Sequence, residues 1–178
     1  MVGQDFTDIL LPEIKNYKTI RSFKEEPVDD NIINSILEAG RRAPSAKNRQ
    51  PWRFVYIKDQ GVKDRLQAAA YGQEHIGEAS FVVAIGTTNV DYKMPNGQLS
   101  YPIDLSFAAS FMIMQATSTG VGSCVVTTYN EAEVNEILTV PYKMRIVMLI
   151  SFGYPKDEQP ERLLERKPLN TITSQKHW

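Results

Sequence analysis

The sequence predicts a mixed fold in which helices and strands alternate, of α/β or α+β class. Three observations carry this expectation. Runs of β-branched and aromatic residues at 52–58, 80–86, 124–128 and 144–153 have strand character. Between them lie segments with apolar residues at helical spacing, such as Ile32, Ile33, Ile36 and Leu37. The segment 101–119 is apolar around nearly its whole circumference, which predicts a helix buried on all sides by its own domain or by a second subunit.

In chain order, Phe6, Ile9 and Leu10 suggest a first helix capped by Asp5 or Thr7, with Pro12 as a kink or a first-turn residue. A basic segment follows at 17–24. Asp29 and Asp30 then open the helix of Ile32 to Leu37, placing acids at its positive end. The stretch 43–51 is a polar loop pinned by Pro44 and Pro51, able to hold Ser45, Asn48 and Gln50 in a fixed array. A helix at 62–71 ends at Gly72. The continuous apolar run at 80–86 reads as a buried strand. Pro95 and Asn96-Gly97 mark a turn within a polar loop at 91–100. Gly120 and Gly122 stop the apolar helix, and another helix spans 131–138. The tail at 155–178 lacks a period, and Trp178 at its end suggests docking.

Composition narrows the function. A length of 178 residues suits a single domain, 1–178. A net charge of −1 lacks the basic excess that nucleic-acid or anionic-membrane binding needs. With Cys124 as the sole cysteine no intrachain disulfide forms, and a cytoplasmic location is expected. No apolar run reaches the ~20 residues of a membrane span. Two histidines, His75 and His177, give no basis for a metal site. Ser45 has no histidine placed to activate it as a nucleophile.

Four motifs, in order, resemble those of the nitroreductase superfamily. They are Tyr17-Lys18-Thr19-Ile20-Arg21-Ser22-Phe23; Ala43-Pro44-Ser45 with Asn48, Gln50, Pro51 and Trp52; the apolar helix leading to Gly120-Val121-Gly122-Ser123; and Gly153-Tyr154-Pro155 with Arg166-Lys167-Pro168-Leu169. The resemblance implies an α+β fold with a mostly antiparallel sheet flanked by helices. It also implies a homodimer with two FMN at the interface and a C-terminal arm, about 155–178, reaching the partner.

The resemblance further assigns Lys18, Thr19, Arg166 and Lys167 to the FMN phosphate and Arg21 to the ribityl chain and pyrimidine end. It assigns Pro44, Ser45 and Asn48 to contacts from the partner chain, Gln73 to the pyrimidine edge, and the backbone at Thr127 and Thr128 to flavin N5. Gln50 braces the loop. No residue acts as a catalytic nucleophile; Arg21 stabilises reduced FMN electrostatically. The implied activity is ping-pong hydride transfer from NADH or NADPH, through FMN, to a small electron-poor acceptor such as a nitroaromatic or quinone. Dehalogenation, flavin breakdown and a non-enzymatic flavin-binding role are the alternatives. Tyr17 stands where the family usually has arginine, and Lys15 is the candidate to compensate. The segment 89–100 is the sizeable stretch available to cover a flavin.

Overall fold

The computed structural model describes residues 7–157 and 166–176. The expected cap Asp5, the apolar Phe6 and the terminal Trp178 lie outside the described residues.

The fold is α+β and is built on a four-stranded sheet of order β1-β2-β4-β3. The strands are β1 (Trp52–Ile57), β2 (Phe81–Thr87), β3 (Gly122–Val126) and β4 (Arg145–Gly153), and each pairing is antiparallel. β2 is buried along its whole length, as its unbroken apolar run predicts. Alternate residues of β2 serve two cores. Phe81, Val83 and Ile85 pack with α2 (Asp30–Arg41) and α5 (Tyr101–Ser118) on one face. Val82 and Ala84 join α3 (Gln60–Ala69), α4 (Glu74–Glu78) and α6 (Glu131–Ile137) on the other. Phe81 and Phe152 stack across β2 and β4 with centroids 4.9 Å apart, reinforcing the centre of the sheet.

Local chemistry sets the helix ends. The Asp29 carboxylate accepts from the Asn31 N–H at 2.8 Å, so α2 begins where the acids were expected to sit. Pro12 opens α1 (Pro12–Asn16), where its missing N–H costs nothing, after a short 3-10 turn at Thr7–Ile9. Gly120 ends α5 with φ +76, a left-handed conformation that suits glycine.

One boundary changes, and one of the two alternatives for α5 falls away. The third strand runs from Gly122 rather than Cys124, and it ends before Thr127 and Thr128. Gly122 joins the strand by pairing with Gly153, and it is glycine because Ile20 crosses it closely: a Cβ there would lie 2.5 Å from the Ile20 side chain. The helix α5 is not covered on all sides by its own chain. Ile103, Phe107 and Phe111, four residues apart and 39%, 46% and 42% exposed, form an open stripe. Beside it α1 packs on α5 and leaves Leu11 and Ile14 exposed. Among the described residues, no helix is long and apolar enough to cross a membrane.

Candidate functional site

The basic segment at 17–24 is laid along the sheet by two single-residue bridges, Thr19 beside Ser123 and Phe23 beside Pro155. The Ile20 N–H donates to the Ser123 carbonyl at 2.9 Å. Ile20 and Phe23 enter the core, while Lys18 and Arg21 are exposed and Thr19 is half-buried at the edge of β3. The Tyr17 hydroxyl lies 3.4 Å from Thr19 Oγ1. Lys15 pairs with Asp8 at 3.2 Å, so its charge is already shared on the surface.

The short helix α4 brings in the next residues. Gln73 precedes it, and its Nε2 donates to the Ala70 carbonyl at 3.1 Å and to the Thr128 carbonyl at 3.0 Å. The two bonds fix the Gln73 side chain against the backbone just beyond β3. Both Thr127 and Thr128 are exposed there.

His75, two residues along, is buried. Its Nδ1 lies 3.2 Å from Ser151 Oγ and its Nε2 3.6 Å from Cys124 Sγ. Burial, and then the charge of nearby Arg21, push the His75 pKa below 6.5, against a weaker opposing pull from Glu78. The neutral imidazole therefore contributes stability that is fully present above pH 6.5 and is lost as pH falls below it through the folded-state value. Melting temperature is expected to drop between about pH 7 and about pH 5, and to drop less in His75→Gln. Equal slopes in the two proteins would rule this out.

A second set of residues gathers in the loop 44–50. The Gln50 N–H donates to Ser45 Oγ at 2.9 Å, and Gln50 Nε2 donates to the Asn48 carbonyl and Oδ1 at 3.3 and 3.2 Å. Gln50 thus braces the loop as expected. Lys47, Asn48 and Gln50 all have φ near +50, a left-handed region that non-glycine residues rarely enter. The Ala46 N–H donates to Asp104 Oδ1 at 2.8 Å. The Arg49 guanidinium lies 3.8 Å above the Tyr92 ring. Tyr92 lies in the segment 89–100 that the sequence offers as cover for a flavin. The turn expected at Pro95 and Asn96-Gly97 is present, with Met94 N–H donating to the Gln98 carbonyl at 2.8 Å and a bridge from Lys93 to Leu99.

The two sets lie on opposite edges of the sheet, and only Thr127 and Thr128 lie toward the end where the loop enters, since Thr19 beside Ser123 is level with Phe152 and Phe81 whereas Trp52 is level with Thr87 and Arg145. Trp52, after the loop, starts β1, while Thr127 follows the end of β3. At ~4.8 Å per strand, β1 and β3 are roughly 14 Å apart. Arg166 and Lys167 are exposed before α7 (Leu169–Ile172), and among the described residues no hydrogen bond or ion pair joins them to either set. The structure therefore unites Lys18, Thr19, Arg21, Gln73, Thr127 and Thr128, and gathers Pro44, Ser45 and Asn48 separately. A cleft of 880 Å³ between 23–27 and α3–α4 contains none of these residues.

Sequence reasoning missed His75 and Asp104 as members of these networks. Asp104 had a readable signal, a lone carboxylate within an apolar helix; His75 had none.

A model of the Nitroreductase family matches residues 14–98 and 70–154. The chain is 28% identical over 172 residues to an NADH dehydrogenase of Thermus thermophilus, covering 79% of this chain and 84% of that protein. It is 24% identical over 174 residues to an iodotyrosine deiodinase of Thermotoga neapolitana, covering 83% and 90%. Its fold superposes on the NADPH:FMN oxidoreductase of Vibrio harveyi complexed with NAD+ with a TM-score of 0.82, at 22% identity, covering 93% of this chain and 76% of that one.

Proposed function

The chain belongs to the nitroreductase family, and on that premise we propose that it is an FMN-dependent oxidoreductase passing hydride from NADH or NADPH to a small electron-poor acceptor, such as a nitroaromatic or quinone. The observation that carries this reading is the convergence of Lys18, Thr19, Arg21, Gln73 and Thr128 along one edge of the sheet. The donor set suits a flavin nucleotide, with cations for a phosphate, an amide for a polar ring edge and backbone donors beyond a strand end. Bound FMN would supply the hydride-transfer chemistry, so no protein nucleophile is needed.

This chain's residues bind and orient. Lys18 and Thr19, with Arg166 and Lys167, hold the phosphate. Gln73, already clamped to Thr128, would hold the polar ring edge, and the backbone N–H groups at Thr127 and Thr128 would offer donors to the ring. Pro44, Ser45 and Asn48 sit too far across the sheet to complete the same site, so they serve the flavin held mainly by the partner. The assembly is a homodimer of single-domain chains working in the cytoplasm, with α5 at its interface and the C-terminal arms exchanged.

Purified protein is expected to be yellow, to bleach anaerobically with NADH or NADPH, and to regain colour on adding a nitroaromatic. A protein that takes up no FMN would overturn the proposal. Similarity to a deiodinase favours one second reading, reductive dehalogenation. Recovery of colour with iodotyrosine and iodide release, but not with nitroaromatics, would select it.

Arg21 carries the electrostatic part of the proposal. Its guanidinium favours the more negative, reduced state of a ring whose pyrimidine end it borders. Arg21→Gln keeps a donor and removes the charge, so the flavin midpoint potential should fall by roughly 30 mV, equivalent to ~1.4 kcal/mol on a two-electron couple. If Arg21 holds only phosphate, affinity falls and the potential stays fixed. A redox titration of the flavin-loaded variant distinguishes these roles.

A further inference from the structure

Asp104 is buried, 2% exposed, on the first turn of the otherwise apolar α5. Its Oδ1 accepts from the Ala46 N–H at 2.8 Å, and its Oδ2 has no hydrogen-bond partner among the described residues. Ser100 Oγ, one helical turn earlier, is also buried without a partner. A carboxylate so placed is a poor contributor to stability, because desolvation outweighs a single hydrogen bond. An apolar side chain would suit the packing of α5 better. The benefit has to lie in what Asp104 holds.

It holds the loop 44–50, which needs holding. Lys47, Asn48 and Gln50 adopt left-handed backbone conformations, which are strained for a residue with a Cβ. The internal bonds from Gln50 to Ser45 and Asn48 shape the loop but do not attach it to the body of the protein. Attachment comes from Asp104 on the Ala46 N–H and from Arg49 on the Tyr92 ring. The Tyr92 ring is itself on a surface turn, so Asp104 is the anchor to a core helix.

We infer that Asp104 is a positioning residue that fixes the loop 44–50 in the shape that receives the cofactor, and so sets flavin affinity rather than fold stability. This rests on the flavin reading above. The same helix presents Phe107 and Phe111 one and two turns later, so Asp104 also ties the loop's position to the face offered to a second subunit.

The test uses the full chain with Asp104→Leu and Asp104→Asn, and with Asp104→Ala should leucine overfill the site. FMN affinity, melting of the flavin-free protein and amide exchange across 44–50 are measured for each. Asp104→Leu is expected to weaken FMN binding at least about tenfold and to speed exchange at Ala46 and Lys47, without lowering the melting temperature. Asp104→Asn keeps an acceptor oxygen for Ala46 and is expected to stay within about threefold of the wild type. Unchanged affinity in Asp104→Leu, or melting temperatures that fall in step with affinity, overturns the inference. Amide exchange keeps the two failures apart: a wild type that binds no FMN defeats the flavin reading, whereas unchanged exchange in Asp104→Leu defeats the positioning role whether or not FMN binds.

Discussion

Replacing Phe107 and Phe111 together with glutamate is expected to convert the proposed dimer of 20.2 kDa chains into a monomer that no longer retains the proposed flavin. Both rings stand on the stripe that α5 leaves open, beside Ile103 and the exposed Leu11 and Ile14 of the neighbouring α1. Two adjacent helices that offer apolar surface together mark an association face. In a two-fold dimer each substitution counts twice, so four rings are lost. Roughly half of each ring is already buried, which leaves ~1 kcal/mol per ring for association, or ~4 in total. Desolvating the new carboxylates adds several kcal/mol more. At ~1.4 kcal/mol per decade the dimer should weaken by at least about a thousandfold. Light scattering at micromolar concentration, with circular dichroism to establish that the monomer stays folded, decides the matter. A dimer that survives both charges would place the subunit contact elsewhere, and flavin retained by a folded monomer would show that one chain suffices.

The elements legible in the sequence were those whose pattern is local. The all-apolar β2 and the one-faced α2 announce themselves by period, and Asp29 announces the start of its helix. What escaped was created by contacts between distant residues. α4 has five residues, too few for a period, yet it places Gln73 and His75. The start of β3 lies two residues early because Gly122 and Ser123 pair with Gly153 and Phe152, and nothing in 120–128 reports those partners. The site shows the same division. The motifs name its residues one by one, but only the fold shows that Gln73 reaches Thr128 and that the loop 44–50 lies on the far edge of the sheet. The left-handed run at Lys47, Asn48 and Gln50 was equally hidden, since no glycine marks it.

Deleting residues 166–178 is expected to lower both flavin affinity and melting temperature, and a paired charge variant separates the two effects. α7 spans four residues, and the hydrogen bonds seen there are local, from Thr171 to the Pro168 carbonyl and from Thr173 to the Leu169 carbonyl. A helix that short is unstable in isolation. Its Leu169 and Ile172, three residues apart, are exposed and available to a partner surface. On the sheet, β1 pairs with β2 on one side only, which leaves an edge for an incoming arm. Arg166 and Lys167 precede α7 and are proposed to hold the phosphate. Each charge-assisted contact is worth about 1.5–3 kcal/mol, so losing both should weaken FMN binding by roughly a hundredfold to ten-thousandfold. Arg166→Gln with Lys167→Gln removes these charges and leaves the arm's apolar residues in place. That variant should lose FMN affinity while the flavin-free protein melts as before. The deletion should lose affinity and also melt earlier, because the docked face is gone. Flavin retained by the deletion at wild-type affinity would remove the arm from the site, and an unchanged melting temperature would remove it from the interface.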